Sequence, residues 1–183
     1  GGLEDYHQKI NSCDQIYITA CGTSWHAAQI GSYLMEELLG KPVKVEYASE
    51  FRYRKTPITK NSILIAISQS GETADTLAAI NKAKKIGAFT LGIVNVVGSS
   101  IARETDCGIY MHAGHEIGVA STKAFTCQVS TLTLLSLFLA QKGNVADKEI
   151  LLEITNDLKE IPHHVENILK LNQDISKIAK KYF

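Results

Sequence analysis

Two rhythms of apolar and polar positions alternate along this chain. Gln15–Ala20 and Ala88–Val94 read as strands, and Ile63–Ile67 is an uninterrupted apolar run rich in β-branched residues. Such a run reads as a strand buried on both sides, as a parallel sheet requires. Val43–Tyr47 alternates and reads as a further strand, and Cys107–Met111 supplies a fifth. Between them lie stretches with helical spacing. One runs from about Trp25 to Leu39 and is stopped by Gly40-Lys41-Pro42; a short one begins at Ala48-Ser49-Glu50-Phe51. Another carries Leu77, Ile80 and Ala83 and ends near Gly87, and a brief turn passes through Arg103. Leu3 to about Ser12 reads as a short helix or an extended lead-in. Strands separated by helices predict a three-layer α/β/α sandwich around a five-stranded, mainly parallel sheet.

Beyond the strands, a long helix is expected from about Ala124 to Leu139. It has apolar residues on nearly every side, including Leu132, Leu134, Leu135, Leu137, Phe138 and Leu139, so it belongs in a core or a subunit contact. The composition then shifts. Ile150, Leu151, Ile154, Leu158 and Ile161, then Val165, Ile168, Leu169, Leu171, Ile175 and Ile178, trace two amphipathic helices broken at Pro162. The expected division is a sheet domain over 1–143 and a C-terminal helical segment over 144–183.

At 183 residues and 45% hydrophobic content the chain can bury a sizeable core. Nineteen basic and nineteen acidic side chains cancel, which leaves no electrostatic footprint for nucleic acid or an anionic membrane surface. No apolar segment is expected to reach transmembrane length, and Gly1-Gly2-Leu3-Glu4-Asp5 lacks the features of a signal peptide, so a cytoplasmic location is expected. Cys13, Cys21, Cys107 and Cys127 are scattered without a C-x-x-C pair, and the six histidines show no ligand spacing. Neither a disulfide framework nor a metal site is expected. Arg52, Arg54 and Lys55 read as a solvated face rather than a phosphate clamp.

The candidate chemistry lies in three turns, each placed where a helix begins. The central one is Ser68-Gln69-Ser70-Gly71-Glu72-Thr73-Ala74-Asp75-Thr76. A helix N-terminus offers unpaired N–H groups and partial positive charge, so hydroxyls clustered there suit a phosphate without any cationic side chain. The same hydroxyls also read as plain caps, with Thr73 or Thr76 in that role. Glu72 stands where a Walker A loop needs lysine, which favours a monophosphate on a small polar molecule over a nucleoside triphosphate. Cys21-Gly22-Thr23-Ser24 repeats the grammar after the first strand. Ligands of open α/β sheets bind at the carboxyl ends of the strands, where both turns should lie. The third turn, His115 to Lys123, opens the long apolar helix, with Ser121 or Thr122 as its cap.

Taken together, these turns, with Ala48-Ser49-Glu50-Phe51-Arg52-Tyr53-Arg54 and Gly98-Ser99-Ser100, closely resemble the first sugar isomerase (SIS) domain of the glutamine–fructose-6-phosphate aminotransferase family. The resemblance implies a flavodoxin-like fold and a role in making glucosamine 6-phosphate from fructose 6-phosphate and glutamine. It implies that Ser68, Gln69, Ser70 and Thr73 hold the phosphate around Gly71, and that Thr23 and Ser24, with Cys21 and Gly22, contact the sugar or its phosphate. Val119, Ala120 and Ser121 would line the sugar. It further implies a homodimer, a glutaminase domain and a second SIS domain, with no cofactor. The proton-shuttling carboxylate, the Schiff-base lysine and a neighbouring subunit's histidine would lie on segments outside this sequence. Glu116 and Lys123 are expected to order their loop rather than to catalyse, His26 and His115 to be surface or loop residues, and Trp25 to pack at a helix start. Two other readings are a non-catalytic sugar-phosphate sensor and a free-standing sugar-phosphate isomerase.

Overall fold

The computed structural model describes residues 3–118 and 121–182. Strands β1 (Gln15–Ala20), β2 (Val43–Tyr47), β3 (Ser62–Ser68), β4 (Phe89–Val94) and β5 (Cys107–Tyr110) form one sheet. Their order is β2-β1-β3-β4-β5, and every neighbouring pair is parallel. The continuous apolar runs occupy the interior, where every residue of β3 and β4 is buried. The edge strand β5 alternates between half-buried and exposed.

Two helical layers enclose the sheet. Helix α2 (Thr23–Leu39) packs on α6 (Lys123–Gly143), and α1 (Leu3–Asn11) joins them. On the opposite face lie α3 (Ala48–Tyr53), α4 (Ala74–Ile86) and α5 (Ser100–Glu104). The core beneath α3, α4 and α5 gathers Tyr17, Leu64, Ala66 and Val94 from the strands with Phe51, Ala79, Ile80, Ala83 and Ile101 from the helices. Strand side chains alternate between faces, so Ile16, Ile18, Ile63, Ile65 and Ile67 point to the α2–α6 layer. There α2 and α6 approach so closely that a Cβ on Gly31 would stand 2.6 Å from Leu132 Cδ1. The lead-in is a helix, tied to α6 by Asn11, which donates to the Leu139 carbonyl at 3.0 Å, and by Glu4, 2.8 Å from Lys142.

By length and composition α6 could cross a membrane, which corrects the expectation that no apolar segment reaches that length. The expected helix ended at Leu139, whereas the observed one continues to Gly143. Leu132, Leu135, Leu137 and Leu139 are buried, while Leu134 is exposed.

The chain divides into two compact units, residues 1–146 and 147–183. The second holds α7 (Lys148–Leu169), capped by Asp147, which accepts from the Glu149 N–H at 2.8 Å, and α8 (Asn172–Tyr182). Pro162 does not break the helix as expected; it lies inside α7. Proline already holds a helical φ and removes a single donor, so a helix can pass through it with a kink. The break falls at Lys170–Leu171, where the Leu171 N–H turns back to the Ile168 carbonyl at 3.0 Å.

Candidate functional site

In this sheet the strand order reverses between β1 and β3, because β1 leads outward to β2 while β3 leads the other way to β4. A crevice opens at the carboxyl ends of such a pair. The register sets Ile18 beside Ile65 and Thr19 beside Ala66, so Cys21–Ser24 and Ser68–Thr73 leave the sheet as neighbours. Each leads directly into a helix.

Both helix starts are open. At α2 the N-cap is Gly22, which has no side chain, and the Trp25 N–H reaches the Gly22 carbonyl at 3.0 Å. At α4 the N-cap is Thr73, whose side chain makes no capping bond. Neither Thr73 nor Thr76 is the side-chain cap expected. The Thr73 hydroxyl pairs instead with Ser68 Oγ at 3.0 Å, and the buried Thr76 hydroxyl has no partner among the described residues. The start of α4 is therefore left without a side-chain cap for its first N–H groups.

The loop between β3 and α4 is built from its own hydroxyls. Buried Ser68 accepts from the Gly71 N–H at 3.0 Å, and exposed Ser70 accepts from the Glu72 N–H at 3.2 Å. Gly71 has φ +69°, and a Cβ there would fall 2.1 Å from Ser99 Oγ, so only glycine fits. Helix α5 clamps the loop from behind: the Ile101 N–H donates to the Gly71 carbonyl at 2.9 Å and the Ser100 N–H to Glu72 Oε1 at 2.8 Å. Ser100, with Arg103 nearby, holds the Glu72 carboxyl below its ordinary pKa. Asp75, in the first turn of α4, is paired with Arg52 at 3.0 Å, so its charge is offset beside the open N-terminus. Arg54 lies 3.3 Å from Glu46.

The third turn differs, because its helix start is filled. Glu116 accepts from the N–H groups of Thr122 at 2.6 Å, Lys123 at 2.9 Å and Ala124 at 3.2 Å, and from the Ser121 hydroxyl at 3.0 Å. The Thr122 N–H leads these bonds in pulling the Glu116 carboxyl below its ordinary pKa. Of the two expected caps, Ser121 accepts from the Phe125 N–H at 3.2 Å, while the Thr122 side chain makes no capping bond. Lys123 is exposed, as are His26 and His115. Trp25 stacks on Tyr47, ring centroids 4.4 Å apart. Val119 and Ala120 lie outside the described residues.

Two residues that sequence reasoning passed over join the three turns. Gln128, buried in α6, donates to Ser24 Oγ at 2.9 Å and so ties the third helix to the first turn. Asn95, just past β4, receives Gln69 and the segment before Glu116: its N–H donates to the Gln69 carbonyl at 3.3 Å and its side chain to the Gly114 carbonyl at 2.8 Å. Gln128 was visible as a lone amide in an apolar helix, and Asn95 as a polar residue at a strand's carboxyl end.

A family model described as SIS domain matches residues 9–138. The glutamine–fructose-6-phosphate aminotransferase (isomerizing) of Chlorobaculum tepidum is 52% identical over 181 residues, which cover 99% of this chain and 29% of that protein. Its counterpart 1 from Rattus norvegicus is 44% identical over 183 residues, 100% of this chain and 27% of that one. The solved C-terminal domain of glucosamine-fructose-6-phosphate aminotransferase from Francisella tularensis superposes with a TM-score of 0.90 at 40% identity, covering 96% of this chain and 50% of that one. The chain thus spans less than a third of the length of these two curated relatives. The matched region runs from α1 into α6, through all five strands and all three turns, and on that ground the chain belongs to the SIS domain family.

Proposed function

We propose that this chain is the fructose-6-phosphate-binding SIS domain of a glutamine–fructose-6-phosphate aminotransferase, the first of two in tandem, in an enzyme that makes glucosamine 6-phosphate. The observation that carries the reading is the contrast among helix starts. The N-termini of α2 and α4, side by side at the strand-order reversal, are left without a side-chain cap, while that of α6 is filled by Glu116. The two open starts, with Ser70, Gln69, Thr73 and Thr23 around them, suit a phosphate dianion held by amides and hydroxyls.

In this reading the phosphate is a handle. Its binding energy fixes the sugar so that the C1–C2 end projects toward the third turn, and fixed geometry lowers the entropic part of the barrier. The proton shuttle and the amine-carrying group come from the second SIS domain, the C-terminal tail and a dimer partner, and glutamine hydrolysis from a glutaminase domain. The chain alone therefore binds sugar phosphate without aminating it. The similarity to aminotransferases over almost the whole chain supports this assignment.

Calorimetry with fructose 6-phosphate tests the proposal. Ser70→Ala and Thr73→Val should each weaken binding about tenfold, since each removes a hydrogen bond to a charged group. Unchanged affinity in both variants would remove the handle.

A further inference from the structure

Asn95 follows β4 directly and touches both loops that would meet the two ends of a sugar phosphate. Its N–H donates to the Gln69 carbonyl at 3.3 Å, within the loop between β3 and α4. Its side chain faces the other way. Oδ1 accepts from the Ala113 N–H at 2.8 Å and Nδ2 donates to the Gly114 carbonyl at 2.8 Å. One amide orientation satisfies both bonds; the flipped one would set donor against donor and acceptor against acceptor.

Among the described residues, the segment it grips is held at its start by the Met111 N–H, which donates to the Val94 carbonyl at 2.9 Å. Residues 111–118 form no helix or strand, and the chain bends through positive φ at His112 (53°) and Gly114 (71°). Its next anchor is Glu116 at the start of α6. The phosphate loop is braced separately, by Ser68 from within and by Ser100 and Ile101 of α5 from behind. Removing the Asn95 side chain would leave those braces intact, and would free Ala113 and Gly114 between the Met111 and Glu116 contacts.

We propose that Asn95 is a positioning residue: it sets the segment over 113–116 against the phosphate loop, and so governs how tightly the body of the sugar is held while leaving the phosphate grip alone. The inference rests on the reading of residues 68–73 as the phosphate site. It deepens that reading by assigning the two halves of the ligand to two separately braced loops.

The test compares two ligands on the 183-residue chain, fructose 6-phosphate by calorimetry and inorganic phosphate by phosphorus NMR titration. In Asn95→Ala, loss of two neutral hydrogen bonds should weaken fructose 6-phosphate about tenfold and leave inorganic phosphate within about twofold of wild type. Asn95→Leu keeps nearly the same volume, adds no charge and makes neither hydrogen bond. It should show the same split, and it serves if thermal melting finds the alanine variant unfolded. Equal weakening of both ligands, or weakening of neither, overturns the proposal. Failure of the wild type to bind either ligand is a separate result that overturns the phosphate-site reading and this inference with it.

Discussion

Glu72 and Glu116 are acids beside a proposed phosphate site, where a free carboxylate would repel the ligand. Each is engaged by helix amides instead, Glu72 at the start of α5 and Glu116 at the start of α6. Because the folded pKa of Glu116 is lowered, its contribution is fully present above the unfolded carboxyl value of about 4.3 and is lost as pH falls through the folded value. The amide proton shifts of Thr122 and Lys123 should therefore titrate with an apparent pKa below about 4.3 and lose that titration in Glu116→Gln. A midpoint at or above the ordinary value would show that those bonds do not form. Gly71 carries the other residue-scale expectation. Gly71→Ala meets both a left-handed φ and Ser99 Oγ at 2.1 Å, so it should cost about 1–3 kcal/mol, read as a lowered midpoint in denaturant unfolding. The hydroxyls and glycines of the turns were legible in the sequence because their chemistry is local. What Thr73 bonds to, and that Glu116 fills a helix start eight residues of chain away from Ala124, depends on how the loops close, which no spacing rule fixes.

Among elements, the strands were the easiest to read, since a buried parallel strand must be apolar on both faces and β3 and β4 are. Helix ends were harder. The end of α6 was misjudged by four residues because Ala140 to Gly143 continue a helix whose packing, not its hydropathy, sets its length. Pro162 misled because a proline inside a helical pattern can kink the helix instead of ending it, and α7 passes through it. The α2–α6 contact depends on Gly31, which the sequence presented only as one small residue in a helix. Gly31→Ala forces a methyl to within 2.6 Å of Leu132 and should destabilise the unit by about 1–3 kcal/mol in thermal or urea unfolding. Because the two side chains compete for one space, Gly31→Ala combined with Leu132→Ala should be less destabilised than the sum of the two single changes. Strict additivity of the two changes would mean that the helices do not meet there.

At the scale of the whole sheet unit, the order β2-β1-β3-β4-β5 decides where a ligand can sit, and it places two open helix starts together at the reversal. That order followed from the alternation of strands and helices only as a class of fold. The joining of the turns by Gln128–Ser24 and by Asn95 depends on the tertiary fold, since those partners are far apart in the chain. A cavity of about 420 Å³ along β4 and β5, lined by Gly92, Thr105, Cys107 and Tyr110 with Asp5 and Tyr6, offers a rival location for a small ligand. Burial, with Asp106 adding to it, pushes the Cys107 thiol there up to about 11, so that wall presents a neutral thiol and no cation to an anion. Amide NMR of the 183-residue chain titrated with fructose 6-phosphate distinguishes the two locations most directly. The expected result is shifts concentrated at Thr23, Ser24 and Gln69 to Thr76; shifts confined to Gly92 and Cys107 to Tyr110, with the helix starts unmoved, would contradict the phosphate site at the strand-order reversal.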